Sequence, residues 1–77
     1  MKKFWMYDGF IDNVSFVCIG ADSMEERATA HKEFQDLLDE NAIPVEYGMQ
    51  IKTSVEAKVR ALLLSEGWKE EVVYIGP

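Results

Sequence analysis

The chain of 77 residues holds one cysteine and one histidine, and these scarcities remove whole classes of protein. A single thiol, Cys18, excludes an intramolecular disulfide, so the expected location is a reducing compartment, by default the cytoplasm. One His and one Cys cannot supply the four ligands of a closed zinc site, and no Asp-x-Asp-x-Asp-Gly loop offers oxygens to calcium. The five glycines, at positions 9, 20, 48, 67 and 76, are scattered rather than gathered into a phosphate-cradling loop. No metal and no cofactor is expected.

Positive charge is also scarce. Eight basic residues against fourteen acidic ones leave a net charge of −6, which repels a phosphate backbone and argues against direct nucleic-acid binding. No apolar run approaches the roughly 20 residues that cross a bilayer, so no membrane association is expected. Asp8 and Asp12 interrupt the one stretch that resembles the start of a leader. The segment Gly20-Ala-Asp-Ser23 precedes a helix whose free amides could attract an anion, but Asp22, Glu25 and Glu26 would repel it.

What the chain does have is apolar side chains: 48% of residues are hydrophobic and 12% aromatic, the composition of a folded globular unit. Residues 1–77 are expected to form one domain. A chain this short buries only about 60% of its unfolded surface, so its stability benefits from reinforcement such as oligomerisation.

The opening residues are apolar on both sides. Phe4, Met6 and Phe10 alternate with Trp5, Tyr7 and Ile11; Val14, Phe16 and Cys18 then alternate with Val17 and Ile19. Successive strand side chains point to opposite faces, so a strand of this kind needs cover on both. Residues 3–11 and 14–20 are expected to form a hairpin turning at Asp12-Asn13, with Asp8-Gly9 as a competing turn or bulge.

Two helices follow. Ser23-Met-Glu-Glu26 has the capping-box spacing and opens a helix to about Asn41. At 100° per residue Met24, Ala28, Ala30, Phe34, Leu37 and Leu38 share one arc, with Glu25, Glu26, Glu33, Asp36, Asp39 and Glu40 opposite. From Ile43 to Ile51 apolar and polar residues alternate, as in a half-buried strand, although Pro44 restricts it to an edge and an extended loop is the alternative. Thr53-Ser-Val-Glu56 is a second capping box, opening a helix over 54–66 that stops at Gly67, where Trp68 can fold back on Leu63. Residues 71–75 form the last strand.

The expected fold is therefore α+β: a small single-layer sheet of three to four strands in ββαβαβ order, with two helices packed on one face. Parallel neighbours at strands two, three and four would put both helices on that face through right-handed crossovers. The other face would be left bare.

Catalytic constellations are thin. Cys18 and His31 form the only thinkable nucleophile–base pair, but a thiol between Val17 and Ile19 reads as a buried, quiet hydrophobe, and His31 as a boundary residue on the apolar arc. The carboxylates lie on a solvated helix face, without a pocket to split their pKa values. What remains is surface. Trp5, Tyr7, Val17 and Ile19 are assigned as the interface set, the alternative being that these are core and that Phe4 and Met6 face out. Glu25, Glu26, Glu33, Asp36 and Glu40 are assigned as an acidic face for a basic partner.

These features favour a non-enzymatic interaction module. It would form a homodimer or dock on another protein, its acidic helix suiting the charge mimicry open to small inhibitors of phages or mobile elements. The alternative is a small enzyme or ligand-binding subunit whose pocket forms at an oligomer interface.

Overall fold

In the computed structural model, which describes residues 1–8 and 11–72, the chain runs β1 (Lys3–Tyr7), β2 (Val14–Gly20), α1 (Met24–Glu40), β3 (Gln50–Lys52), a 3-10 turn (Thr53–Val55), α2 (Glu56–Ser65) and β4 (Lys69–Glu70). The ββαβαβ order of the α+β class is present. The strand arrangement differs from the expected one: the sheet order is β3-β2-β1-β4, with β3 antiparallel to β2 and β4 parallel to β1. β3 and β4 are therefore the two edges, and the hairpin occupies the middle of the sheet.

The hairpin pairs Lys3 with Gly20 and Tyr7 with Phe16, so the ladder stops at Tyr7 and the connection is wider than a two-residue turn. Asn13 takes the left-handed conformation that its side chain tolerates (φ 67), and Val14 N–H donates to the Ile11 carbonyl. The Gly9 and Phe10 positions of the expected longer strand lie outside the described residues.

Directly paired residues share a face, so the helix side of the sheet carries Phe4 and Met6 from β1, Ser15, Val17 and Ile19 from β2, Ile51 from β3 and Glu70 from β4. Phe4, Val17, Ile19 and Ile51 form one core with Ala30, Phe34 and Leu38 of α1, Val59 and Leu63 of α2, and Ile43 and Trp68. Both helices thus cover the same face.

α1 starts as its sequence requires, with the Ser23 hydroxyl accepting from Glu26 N–H at 3.1 Å. Its buried stripe is Ala30, Phe34 and Leu38, whereas Met24, expected on that arc, is 89% exposed at the first position of the helix. The segment 43–49 is an extended loop rather than strand, yet its alternation still buries Ile43 and partly buries Val45 and Met49. Tyr47 breaks the pattern at 98% exposure, because Glu46 and Gln50 pair across a tight turn and leave it at the tip. β4 begins earlier than expected, at Lys69; Glu71 N–H continues the ladder to the Phe4 carbonyl at 2.8 Å, and residues 73–75 lie outside the described set.

The two helices end alike on unlike residues. After α1, Ala42 N–H donates to the Asp39 carbonyl and Ile43 N–H to the Leu38 carbonyl; after α2, Gly67 and Trp68 donate to Leu64 and Leu63. Both are Schellman closures whose pivot is left-handed, at φ 56 for Ala42 and φ 85 for Gly67. Glycine adopts that conformation freely and alanine pays for it. Ala42→Gly is expected to raise stability by about 0.5–1 kcal/mol, and Gly67→Ala to lower it by about 1–2 kcal/mol, although an added methyl there meets nothing within 4 Å. Urea denaturation of the pair checks both signs.

Candidate interaction surface

The face turned away from the helices carries Lys3, Trp5 and Tyr7 from β1 and Val14, Phe16, Cys18 and Gly20 from β2. Tyr7 stacks on its cross-strand partner Phe16 with ring centroids 5.3 Å apart and planes 15° from parallel. Trp5 sits opposite Cys18, and its ring reaches over Gly20, where an added Cβ would lie 3.2 Å from both the ring and the Lys3 stem. Glycine at this position lets two side chains rest on the β2 main chain. The result is a half-buried strip of aromatic side chains with no helix over it.

This geometry divides the residues assigned from sequence. Trp5 and Tyr7 lie on the open face as expected. Val17 and Ile19 do not: they are 2% and 4% exposed, on the opposite face against the helices. The hairpin register pairs Trp5 with Cys18 and Tyr7 with Phe16, so Phe16 and Cys18 take the places given to Val17 and Ile19. Alternation alone could have found that Phe16 and Cys18 share a face; register was needed to join them to Trp5 and Tyr7.

Cys18 is half-buried rather than buried. Burial pushes its thiol up from the ordinary value, while the Tyr7 hydroxyl and the Arg27 charge act the other way. A raised thiol holds less thiolate at neutral pH. Ellman's reagent at pH 7 is therefore expected to label Cys18 several-fold more slowly in the folded protein than in urea, with the folded-state rate still climbing above pH 9. Equal rates at pH 7 would refute this. Cys18 and His31 border the same hollow at the end of β2, but no hydrogen bond joins them. Among the described residues no group of three His, Cys, Asp or Glu side chains converges as a metal site would require.

The five acidic residues assigned to α1 all lie on it, but three are already partnered within the chain. Glu26, together with Asp22, holds the Met1 amino group; Glu33 holds Lys2, and Asp36 holds Lys32 at 3.0 Å. The amino group holds the Asp22 and Glu26 carboxyls below their ordinary values. Glu25 and Glu40 enter no ion pair among the described residues. Glu33, Asp36 and Glu40 border a shallow hollow of about 250 Å³ with Trp68, over whose ring the Lys2 ammonium sits at 5.3 Å.

One polar cluster was not foreseen. Ser15, fully buried in β2, hydrogen-bonds Glu56 Oε2 at 2.6 Å and Thr53 Oγ1 at 3.2 Å; Arg60 then bridges Glu56 at 3.1 Å and Glu70 at 2.8 Å. Glu56 had been expected to cap α2. The 3-10 turn moves the helix start to Glu56, so Val55 becomes the N-cap, no side chain caps the helix, and Glu56 is free to reach Ser15. The chain ties sheet to helix and contains no base beside the hydroxyl other than this carboxylate.

Comparison with protein families, with curated proteins and with solved structures finds no significant match. No helix among the described residues is long and apolar enough to cross a membrane.

Proposed function

We propose that this protein is a small non-enzymatic interaction module that associates through its helix-free sheet face, with a second copy of the chain as the first partner. The observation that carries this is the strip of Trp5, Tyr7, Phe16 and Cys18, half-buried and continuous across β1 and β2, on the side of the sheet opposite both helices. Aromatic side chains bury a large area at small entropic cost and dominate interface centres. A two-fold pairing of such faces would also supply the reinforcement that a domain of this size lacks.

The outer face of α1 is a second surface, suited to a basic partner. Glu25 and Glu40 carry its unpaired charge, since the Met1 amino group, Lys2 and Lys32 already offset Glu26, Glu33 and Asp36. Its contribution is long-range steering, which salt screens.

Light scattering and sedimentation over micromolar to submillimolar protein test the proposal. The native chain is expected to associate, and Phe16→Asp, which puts a charge in the centre of the strip, to remain monomeric with an unchanged far-UV CD spectrum. A native chain that is monomeric throughout this range overturns the homodimer.

A further inference from the structure

The two strands that flank the hairpin are shorter than the hairpin, and among the described residues this leaves part of β2 without a neighbour on its β3 side. β3 pairs with Val14, Ser15 and Phe16, and the last contact along that line is Val17 N–H to the Met49 carbonyl at 3.0 Å. The chain then turns away through Gly48 and Met49, both left-handed at φ 82 and φ 60. In an antiparallel ladder the N–H and C=O of one residue point the same way, and those of the residue two along do likewise. Ile19 therefore directs both of its main-chain groups to the side that Val17 shares with Met49, where no strand among the described residues continues. Its side chain is in the core and the residue as a whole is 4% exposed, so the little surface it keeps borders the space on that side.

That space is a hollow of about 480 Å³ bordered by Cys18, Ile19 and Gly20 of β2, Met49, and Arg27 and His31 of α1. The last two are in an unusual position. At 100° per residue they fall within about 60° of Phe34, on the arc that α1 turns to the sheet. Arg27 is the guanidinium that enters no ion pair among the described residues, whereas Arg60 holds two carboxylates. The residues three and four away from it, Ser23, Met24, Ala30 and His31, include no carboxylate. Arg27 borders the same hollow as Cys18 and Ile19. A chain of net charge −6 thus turns an unpaired guanidinium and its only imidazole onto an unpaired strand edge.

We propose that this edge binds the C-terminal end of an extended peptide. The peptide adds as a short strand against Ile19, and its terminal carboxylate is received by Arg27, with the His31 ring as a further N–H donor. Edge addition supplies main-chain hydrogen bonds, and a guanidinium can accept a carboxylate through two parallel bonds. A chain terminus fits better than an internal acidic segment because the Met49 turn blocks one end of the edge, in line with β3, so that an entering strand must stop there. The hollow meets the aromatic strip at Trp5 and Cys18, so peptide binding is tested in a chain whose sheet face does not associate.

The test titrates a fluorescein-labelled Gly-Thr-Val-Thr-Val peptide with a free C terminus into 15N-labelled protein, in the Phe16→Asp background so that sheet-face association plays no part. Saturable amide shifts centred on Ile19 and Gly20 are expected. Amidation of the peptide terminus, or Arg27→Gln at this exposed position, is expected to weaken binding about tenfold. Absence of shifts at Ile19 up to millimolar peptide overturns the proposal. So does equal binding of the amidated peptide, or of an amidated peptide carrying an internal glutamate. Shifts at Ile19 that depend on protein concentration without peptide would assign the edge to a second copy and overturn it as well.

Discussion

Phe34→Ala is expected to lower stability by about 3–5 kcal/mol. Phe34 is fully buried in the middle of the α1 stripe, between Ala30 and Leu38, and belongs to the core that Phe4, Val17 and Ile51 supply from three strands. Truncating it removes the apolar area of the ring and leaves a void that neighbours on a pleated sheet cannot easily fill. A domain of this length has a total stability of roughly 4–12 kcal/mol at the usual value per residue. The variant is therefore expected to lose from about a quarter to all of that stability, with a far-UV CD melt shifted down by well over 10 °C. A shift of only a few degrees would mean that the two helices are not held through this residue.

The second large effect is expected at Glu56. Glu56→Ala takes away the acceptor of the fully buried Ser15 hydroxyl and one of the two carboxylates that hold Arg60. Thr53 remains as a weaker partner for Ser15 at 3.2 Å. Leaving a buried polar group short of a partner costs about 1–3 kcal/mol, more than the net value of the hydrogen bond itself. Glu56→Gln keeps an oxygen for Ser15 and should recover more than half of that loss. Ser15→Ala in the Glu56→Ala background should add little further, since the group that needed satisfying is gone. Urea denaturation of the three variants separates these cases, and an additive double variant would contradict the coupling.

The hairpin, both helices and the α+β class were legible because each is signalled locally. Ser23 and Glu26 announce α1, Gly67 ends α2, and Asn13 marks the turn by tolerating a left-handed backbone. What could not be read was anything that depends on how distant segments meet. Period-two alternation cannot tell which face of β1 goes with which face of β2 when both are apolar; that follows from the register, which pairs Tyr7 with Phe16. Val17 and Ile19 lie on the helix side for this reason. The alternation over 43–51 described burial correctly at Ile43 and Ile51, but an extended loop lying on a core produces the same pattern as a strand. Glu56 was misread because one helical turn of 3-10 geometry changes what a three-residue spacing means.

The two tryptophans lie on opposite sides of the sheet. Trp68 is in the core with the Lys2 ammonium over its ring, and Trp5 rests on Gly20 at the open face. The molecule therefore carries two optical probes that answer different questions. Emission from Trp68 belongs to a shielded indole and moves to longer wavelength when the fold is lost, whereas Trp5, half-buried, is within reach of a dissolved quencher until something covers the strip. A Trp5→Phe variant isolates the first signal and a Trp68→Phe variant the second, so folding and association can be followed in one cuvette without attaching a dye.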